Sequence, residues 1–140
     1  MRTADDDGAI ARPLETVLVV DAEVLVRAVI AAYLRDCGYR VIEAADAAEA
    51  KLVLEHADGV DVSVVLSAVE LTEEQDGFTL AQWIRRRRPE CEVMLAGTPA
   101  RAAEAAGEIC EQGPTLSRPY EPQTVLDRIR RLLARKPSDT

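Results

Sequence analysis

Residues 17–50 read VLVVDAEVLVRAVIAAYLRDCGYRVIEAADAAEA, in which short apolar runs alternate with stretches of helical periodicity. The run over residues 17–20 is continuous and β-branched, which is typical of a strand buried on both faces of a parallel sheet. Val26, Ile30 and Leu34 then recur at helical spacing. The stretch therefore predicts a strand–helix–strand–helix unit, in a sheet with helices on both faces.

The same alternation continues along the chain and predicts five strand–helix units in all. The second unit has a strand over residues 40–43 and a helix over residues 47–56, where Asp46 and Glu49 have the spacing of a capping box. The other strands are predicted over residues 62–66, 92–95 and 115–117, and the other helices over residues 78–88 and 100–112 and from Pro122 onward. With right-handed crossovers, these units form a doubly wound parallel sheet.

Length and composition are those of one globular domain. The chain has 140 residues, 48% of them hydrophobic and 30% charged, which is neither a low-complexity nor a disordered composition. We expect a flexible tail over residues 1–15, one domain over residues 16–135 and a short tail over residues 136–140. The sequence contains neither a signal peptide nor a long apolar run, so we expect a cytoplasmic protein without a membrane partner.

Charge and cysteine content argue against several classes of function. The formal net charge is −8, which repels nucleic acid, and the four arginines at residues 85–88 point in different directions around a helix. The three cysteines, Cys37, Cys91 and Cys110, have no CxxC spacing, so we expect small buried side chains rather than a disulfide framework or a zinc site. A glycine-rich phosphate loop is missing from the sequence, and we expect no cofactor.

In a doubly wound sheet, the loops at the carboxyl ends of the strands build any functional site. These loops correspond to a few short stretches of the sequence. They carry Asp21, Ala22 and Glu23 after the first strand, Ser67 and Ala68 after the third, Ala96 and Thr98 after the fourth, and Arg118 after the fifth.

Three segments of the chain resemble the receiver domains of bacterial two-component response regulators, and look most like the single-domain receivers of alphaproteobacteria. They are residues 17–50, quoted above, residues 64–85 (VVLSAVELTEEQDGFTLAQWIR) and residues 116–129 (LSRPYEPQTVLDRI). The resemblance covers residues 16–134. It implies an α/β fold of the flavodoxin-like type, with strand order 2-1-3-4-5.

Receivers of this family transfer a phosphoryl group from a kinase histidine to an aspartate at the end of the third strand, helped by magnesium on an acidic pair after the first strand. The resemblance places the acidic pair at Asp21 and Ala22, with Glu23 one position late. It places the phosphoacceptor at Ala68 or, with a one-residue gap, at Ser67. An alanine cannot be a nucleophile, and a lone serine without a base and magnesium is a poor one.

Two family positions that contact the bound phosphoryl group also differ in this chain. The resemblance places the usual threonine or serine at Ala96, and the usual lysine at Arg118, where a planar guanidinium replaces a compact ammonium. We therefore expect no phosphoacceptor, no bound metal and no enzymatic activity. We also expect Arg118 to reach toward Asp21 or its neighbours and to fix a metal-free conformation.

The sequence thus predicts a receiver-like protein of phosphorelay signalling that acts by phosphorylation-independent protein contact. By resemblance, a histidine kinase, a His-phosphotransfer protein or another regulator docks on helix one or on the face of helix four, strand five and helix five, which also forms homodimers. Candidate residues of that face are Arg101, Glu104, Tyr120, Arg128 and Arg131. Two alternatives are phosphorylation at an atypical residue, such as Asp21, Asp61 or Ser67, and a ligand site in the vacated pocket.

Overall fold

The computed structural model describes residues 15–56, 61–72, 74–112 and 121–135. The strands are β1 (Thr16–Val20), β2 (Arg40–Ala44), β3 (Val62–Ala68) and β4 (Glu92–Ala96), and the helices are α1 (Val24–Asp36), α2 (Ala47–Glu55), α3 (Gly77–Arg87), α4 (Pro99–Glu111) and α5 (Pro122–Arg135). These elements agree with the predicted ones to within two residues at each compared end. The predicted fifth strand and the predicted tails, apart from Glu15, lie outside the described residues.

The four strands form one parallel sheet in the order β2-β1-β3-β4. β1 pairs with β2 on one side and with β3 on the other. Because β1 has a neighbour on each side and helices over each face, all five of its residues are buried. The flavodoxin-like α/β fold predicted from the sequence is confirmed, with the strand order 2-1-3-4 over the described strands.

Two apolar cores cover the two faces of the sheet. Val17 and Val19 belong to the core that includes α1, α4 and α5. Leu18 and Val20 belong to the core that includes α2 and α3. This division follows from the alternation of side chains along a strand. Within the described ranges, none of the helices is both long enough and apolar enough to cross a bilayer.

α4 and α5 form a helical hairpin on the same face of the sheet as α1. α4 begins at the carboxyl ends of the strands and runs to their opposite ends, where the Tyr39 hydroxyl donates to the Ile109 carbonyl over 2.5 Å. α5 runs back, so that Leu133 shares a cleft with Pro99. A right-handed connection from β4 to a further parallel strand would instead place α4 over the α2–α3 face.

Small side chains allow α4 to pack closely at this position. Its buried face consists of alanines together with glycine, isoleucine and cysteine: Ala102, Ala103, Ala105, Ala106, Gly107, Ile109 and Cys110. A face of this kind has little volume, so the backbone of α4 can approach α1 and the sheet. The periodicity of the sequence predicts this helix but carries no signal for the face of the sheet that it covers.

Cys37 and Cys110 form a disulfide, with their Cα atoms 5.5 Å apart. The expectation that no cysteine takes part in a disulfide is therefore wrong for this pair. The two residues are 73 positions apart, and they meet because the ends of α1 and α4 lie side by side, which no spacing in the sequence indicates. Cys91 is free and buried, as expected.

Candidate functional site

A cleft of about 390 Å³ lies at the carboxyl ends of β1, β3 and β4. Its walls include five of the seven residues predicted for the pocket: Asp21, Ala22, Glu23, Ala68 and Ala96. Pro99, the first residue of α4, and Leu133 of α5 also line the cleft. The structure thus brings together three of the loops that a parallel sheet predicts to meet.

The other two predicted pocket residues are not part of this wall. Ser67 is fully buried, and its hydroxyl donates to the Ala68 carbonyl over 2.9 Å. Arg118 lies outside the described residues, so its approach to Asp21 stays a prediction. Thr98 does line the cleft, although the resemblance places the hydroxyl position at Ala96.

Asp21 is the carboxylate that directly follows β1 in the cleft. Its Oδ1 accepts a hydrogen bond from the Glu23 amide over 2.9 Å. Burial raises the pKa of Asp21, and the Glu23 charge adds to that rise, whereas the Glu23 amide and the Arg27 charge lower the pKa. The result is a carboxyl group that protonates more readily than an exposed aspartate.

Arg27 is a charged neighbour of Asp21 that the sequence analysis did not single out. Its Nη1 donates to the backbone carbonyl of Asp21 over 2.7 Å, while its Nε lies 3.2 Å from Oε1 of Glu43. Arg27 therefore links α1 to the ends of β1 and β2. Arg27 lies one helical turn after Glu23, and this spacing would have predicted that its side chain is near the carboxyl ends of the strands.

The raised pKa of Asp21 predicts the effect of Asp21→Asn on stability. Because the folded state holds the proton more tightly than the ordinary value of 3.8 allows, the free energy of unfolding falls as pH rises from 3.8 through the raised pKa. Asparagine keeps an oxygen for the Glu23 amide but carries no charge. We expect the variant to be more stable than the parent at neutral pH and equally stable below pH 3.8.

Urea unfolding at several pH values measures this difference, with Asp36→Asn as a control at the last residue of α1 and away from the cleft. A destabilised Asp21→Asn variant at neutral pH would contradict the expectation, because the carboxylate would then be a net stabilising charge.

Two polar residues of the cleft are engaged in capping helices. An Oε1 atom of Glu23 accepts from the Leu25 amide over 3.3 Å at the start of α1. The Thr98 hydroxyl oxygen accepts from the Arg101 amide over 3.1 Å at the start of α4. Both side chains satisfy amides that the helices leave without a partner in their first turns. Glu23 and Thr98 thus have structural functions in the positions where the structure places them.

The start of α3 lies against the end of β3. Asp76 caps this helix by accepting from the Thr79 amide over 2.8 Å, and that hydrogen bond lowers the pKa of Asp76. The Gly77 amide donates to the Val69 carbonyl over 2.7 Å. A Cβ atom at Gly77 would collide with the Ala68 carbonyl oxygen. Glycine at this position therefore allows α3 to approach the wall of the cleft.

The cleft residues do not fit a magnesium ion. Magnesium requires several oxygen ligands in a near-octahedral arrangement. One oxygen of Asp21 accepts from an amide, Glu23 caps α1, the side chains of Ala22 and Ala68 carry no oxygen, and the remaining carboxylate of the lining, Glu70, is exposed. Across the described ranges, no group of three or more His, Cys, Asp or Glu side chains is arranged to hold a metal.

Four of the five residues predicted for a partner face lie in the α4–α5 hairpin. Arg101 and Glu104 form an exposed ion pair on α4, with 3.6 Å between Nη1 and Oε1. Arg128 and Arg131 are exposed on α5. Tyr120 lies outside the described residues. Leu133 lines the cleft as well, and the sequence analysis did not single it out.

The family model for the response regulator receiver domain matches residues 17–130. The chain therefore belongs to the receiver-domain family of response regulators. Among curated proteins, it is 29% identical over 126 residues to the "Probable transcriptional regulator ycf27" of Cyanophora paradoxa, a match that covers 89% of this chain and 50% of that protein. The chain thus spans about half the length of this curated relative.

Solved receiver structures share the fold. A CheY-like receiver domain protein of Methanospirillum hungatei is 20% identical, with a TM-score of 0.56 over 87% of this chain and 95% of that one. The chemotaxis response regulator CheY4 of Vibrio cholerae is 24% identical, with a TM-score of 0.55 over 86% of this chain and 99% of that one. These likenesses agree with the flavodoxin-like fold described above.

Proposed function

We propose that this receiver domain acts in two-component phosphorelay signalling without accepting a phosphoryl group at the position that the family uses. The observation that supports the proposal is that Ala68, to which the resemblance assigns the family's aspartate, ends β3 and lines the cleft. A methyl group offers no lone pair to a phosphoryl group. Ala22 and Ala96 remove a carboxylate and a hydroxyl from the same cleft.

Phosphorylation at an atypical residue is less compatible with the structure than a receiver without a phosphoacceptor. Ser67 is fully buried and its hydroxyl is engaged with the Ala68 carbonyl. Asp61 precedes β3, so a rise of about 3.3 Å per residue places it about 23 Å from the end of that strand at Ala68. Asp21 lines the cleft, but its Oδ1 accepts from the Glu23 amide and the cleft offers no second carboxylate at Ala22 to help hold magnesium beside it.

In this proposal the chain is not an enzyme and acts through protein contacts. Its partners are a histidine kinase, a His-phosphotransfer protein or another regulator, met in the cytoplasm on α1 or on the exposed α4–α5 side chains, where a second copy also binds. A domain that occupies a kinase without accepting its phosphoryl group reduces transfer to competing receivers. The net charge of −8 supports a protein partner over nucleic acid.

A second candidate function is the binding of a small molecule in the cleft. Its volume of about 390 Å³ is within the range of ligand pockets, and alanines line the space where the family has larger polar groups. A ligand that binds the folded state raises the melting temperature in proportion to the logarithm of its concentration. A metabolite screen by thermal shift therefore tests this candidate, and a screen without any shift counts against it.

Thermal melting with magnesium and beryllofluoride, a mimic of the phosphoryl group, tests the proposed function. We expect the melting temperature to stay the same in a chelator, in magnesium and in magnesium with beryllofluoride, because the cleft lacks the ligands for each ion. A phosphorylatable receiver serves as the control and should melt higher with both ions. A saturable rise for this chain would contradict the proposal.

A variant of the same cleft provides the matched comparison. Ala22→Asp with Ala68→Asp adds two carboxylates beside Asp21, and their mutual repulsion should lower the melting temperature in a chelator. Magnesium should then restore it, because three carboxylates supply the oxygen ligands that the ion prefers. If magnesium does not raise the melting temperature of this variant, the two alanines are not the reason that the cleft excludes the ion.

A further inference from the structure

We propose that Cys37 and Cys110 form a reversible thiol–disulfide exchange site, in which oxidation fastens the α4–α5 hairpin to α1 and reduction loosens it. The reaction partner is a low-molecular-weight disulfide of the glutathione type. The exchange chemistry is independent of the proposed function, because it concerns the position of two helices and not phosphoryl transfer. Only its consequence for the partner face rests on that function.

The geometry of the pair suits a disulfide between two helix ends. Cys37 is the C-cap residue of α1, and Cys110 is in the last turn of α4. Both side chains are fully buried, and their Cα separation of 5.5 Å is in the usual range for disulfides. The bond therefore joins the hairpin to α1 at the edge of the sheet opposite the cleft.

Apart from the disulfide, mostly small buried side chains hold α4 against the rest of the domain. Four of its buried residues are alanines, and each buries less apolar surface than a leucine or an isoleucine. Ile109 adds one larger side chain, and its carbonyl accepts the hydrogen bond from Tyr39. On the opposite face, α3 buries Leu80 and Ile84. α5 buries Val125, Leu126 and Ile129, so the α4–α5 layer also packs, and the disulfide adds a covalent link at the end of α4 that α3 does not have.

Both sulfurs become accessible through local opening. Helix ends open at a smaller free-energy cost than the middle of a core element, and each cysteine lies at such an end. Cys91 differs from this pair, because it belongs to the core on the opposite face of the sheet. No second cysteine accompanies Cys91 on that face, so a mixed disulfide formed there could not close to an intramolecular disulfide.

Exchange proceeds in two balanced steps. The thiolate of one cysteine attacks the small disulfide, breaks its S–S bond and releases one small thiol, leaving a mixed disulfide. The second cysteine, as its thiolate, then attacks the protein sulfur of that mixed disulfide and releases a second small thiol. The two protein thiols lose two electrons and two protons in total, and the small disulfide gains them.

The position of this bond gives it a consequence for the partner face. α4 and α5 carry Arg101, Glu104, Arg128 and Arg131 on their exposed sides, and Leu133 lines the cleft. Loosening of the hairpin changes the spacing of these side chains and opens one wall of the cleft. Redox state would thereby set which surface a partner meets.

The test equilibrates the full chain in buffers with increasing ratios of reduced to oxidised glutathione. After an acid quench and alkylation of the unfolded chain, intact mass should count one alkylated cysteine at the oxidising end and all three at the reducing end. Amide hydrogen exchange on the same samples should be at least about tenfold faster in α4 and α5 after reduction, and unchanged in α3.

Two variants complete the design. Cys91→Ala should show the same transition as the parent, whereas Cys37→Ala with Cys110→Ala should exchange like the reduced parent in every buffer. If the double variant does not fold, the reduced parent supplies the comparison. Three alkylated cysteines in the oxidising buffer, one in the most reducing buffer, or equal exchange rates of α4 in both states would each overturn the proposal.

Discussion

Gly77→Ala is expected to lower the free energy of unfolding by at least about 3 kcal/mol. The added Cβ atom would collide with the Ala68 carbonyl oxygen and lie 3.1 Å from the Cα atom of Val69. These are backbone atoms of β3 and its loop, which cannot rotate away as the end of a side chain can. The first turn of α3 would have to shift, and its hydrogen bond to the Val69 carbonyl would weaken.

Gly97→Ala is the matched control for this prediction. A Cβ atom there would lie 3.9 Å from Cγ2 of Val69, which is an ordinary van der Waals contact. We expect this variant to stay within about 0.5 kcal/mol of the parent. Urea unfolding followed by Trp83 fluorescence measures both, and equal stability of the two variants would refute the close approach described for α3.

Replacement of the disulfide has the second large expected effect. Cys37→Ala with Cys110→Ala should lower the free energy of unfolding of the oxidised chain by about 3 kcal/mol. The bond closes a loop between residues 73 positions apart, and the loss of that constraint enlarges the unfolded ensemble. A few kcal/mol is a large share of the total stability of a domain of this size.

Cys91→Ala is the control for the loss of a buried sulfur without the loss of a cross-link. We expect this substitution to lower the free energy of unfolding by about 1 kcal/mol, because it leaves a small cavity in the α2–α3 core. Unfolding of all variants is measured first without reductant and then with it. If the oxidised parent and the double variant unfold at the same urea concentration, the cross-link does not contribute to stability.

The sequence predicts the part of the fold that depends on local pattern. The continuous apolar run of β1 indicates a central strand, and every residue of β1 is buried. One half of the predicted capping box is present, since Asp46 accepts from the Glu49 amide over 2.9 Å, whereas Glu49 accepts from the amide of Ala45, the residue before the cap, over 2.7 Å. Such features depend on residues a few positions apart, which a sequence displays directly.

The arrangement of α4 and α5 depends on contacts between distant residues and could not be predicted in the same way. An alanine-rich amphipathic helix fits either face of the sheet, so the position of α4 beside α1 has no signature in its periodicity. The disulfide and the contact of Arg27 with Asp21 follow from tertiary packing. Each joins elements whose proximity becomes known only when the helices are placed.

The candidate site was predictable where it depends on sheet topology. Parallel strands bring the loops after β1, β3 and β4 to one edge, and five of the predicted residues meet there. What the sequence does not show is that Glu23 and Thr98 cap helices or that Ser67 points away from the cleft surface into the core. Hydrogen-bond partners of this kind depend on where each helix begins.

Intact mass after incubation with acetyl phosphate and magnesium tests the central claim most directly. A phosphorylatable receiver treated in parallel shows that the donor is active. We predict that the mass of this chain stays unchanged, because Ala68 supplies no nucleophile at the position to which the resemblance assigns the family's aspartate. A stable adduct with the mass of one phosphoryl group would contradict the account, and mapping of the modified residue would then identify the acceptor.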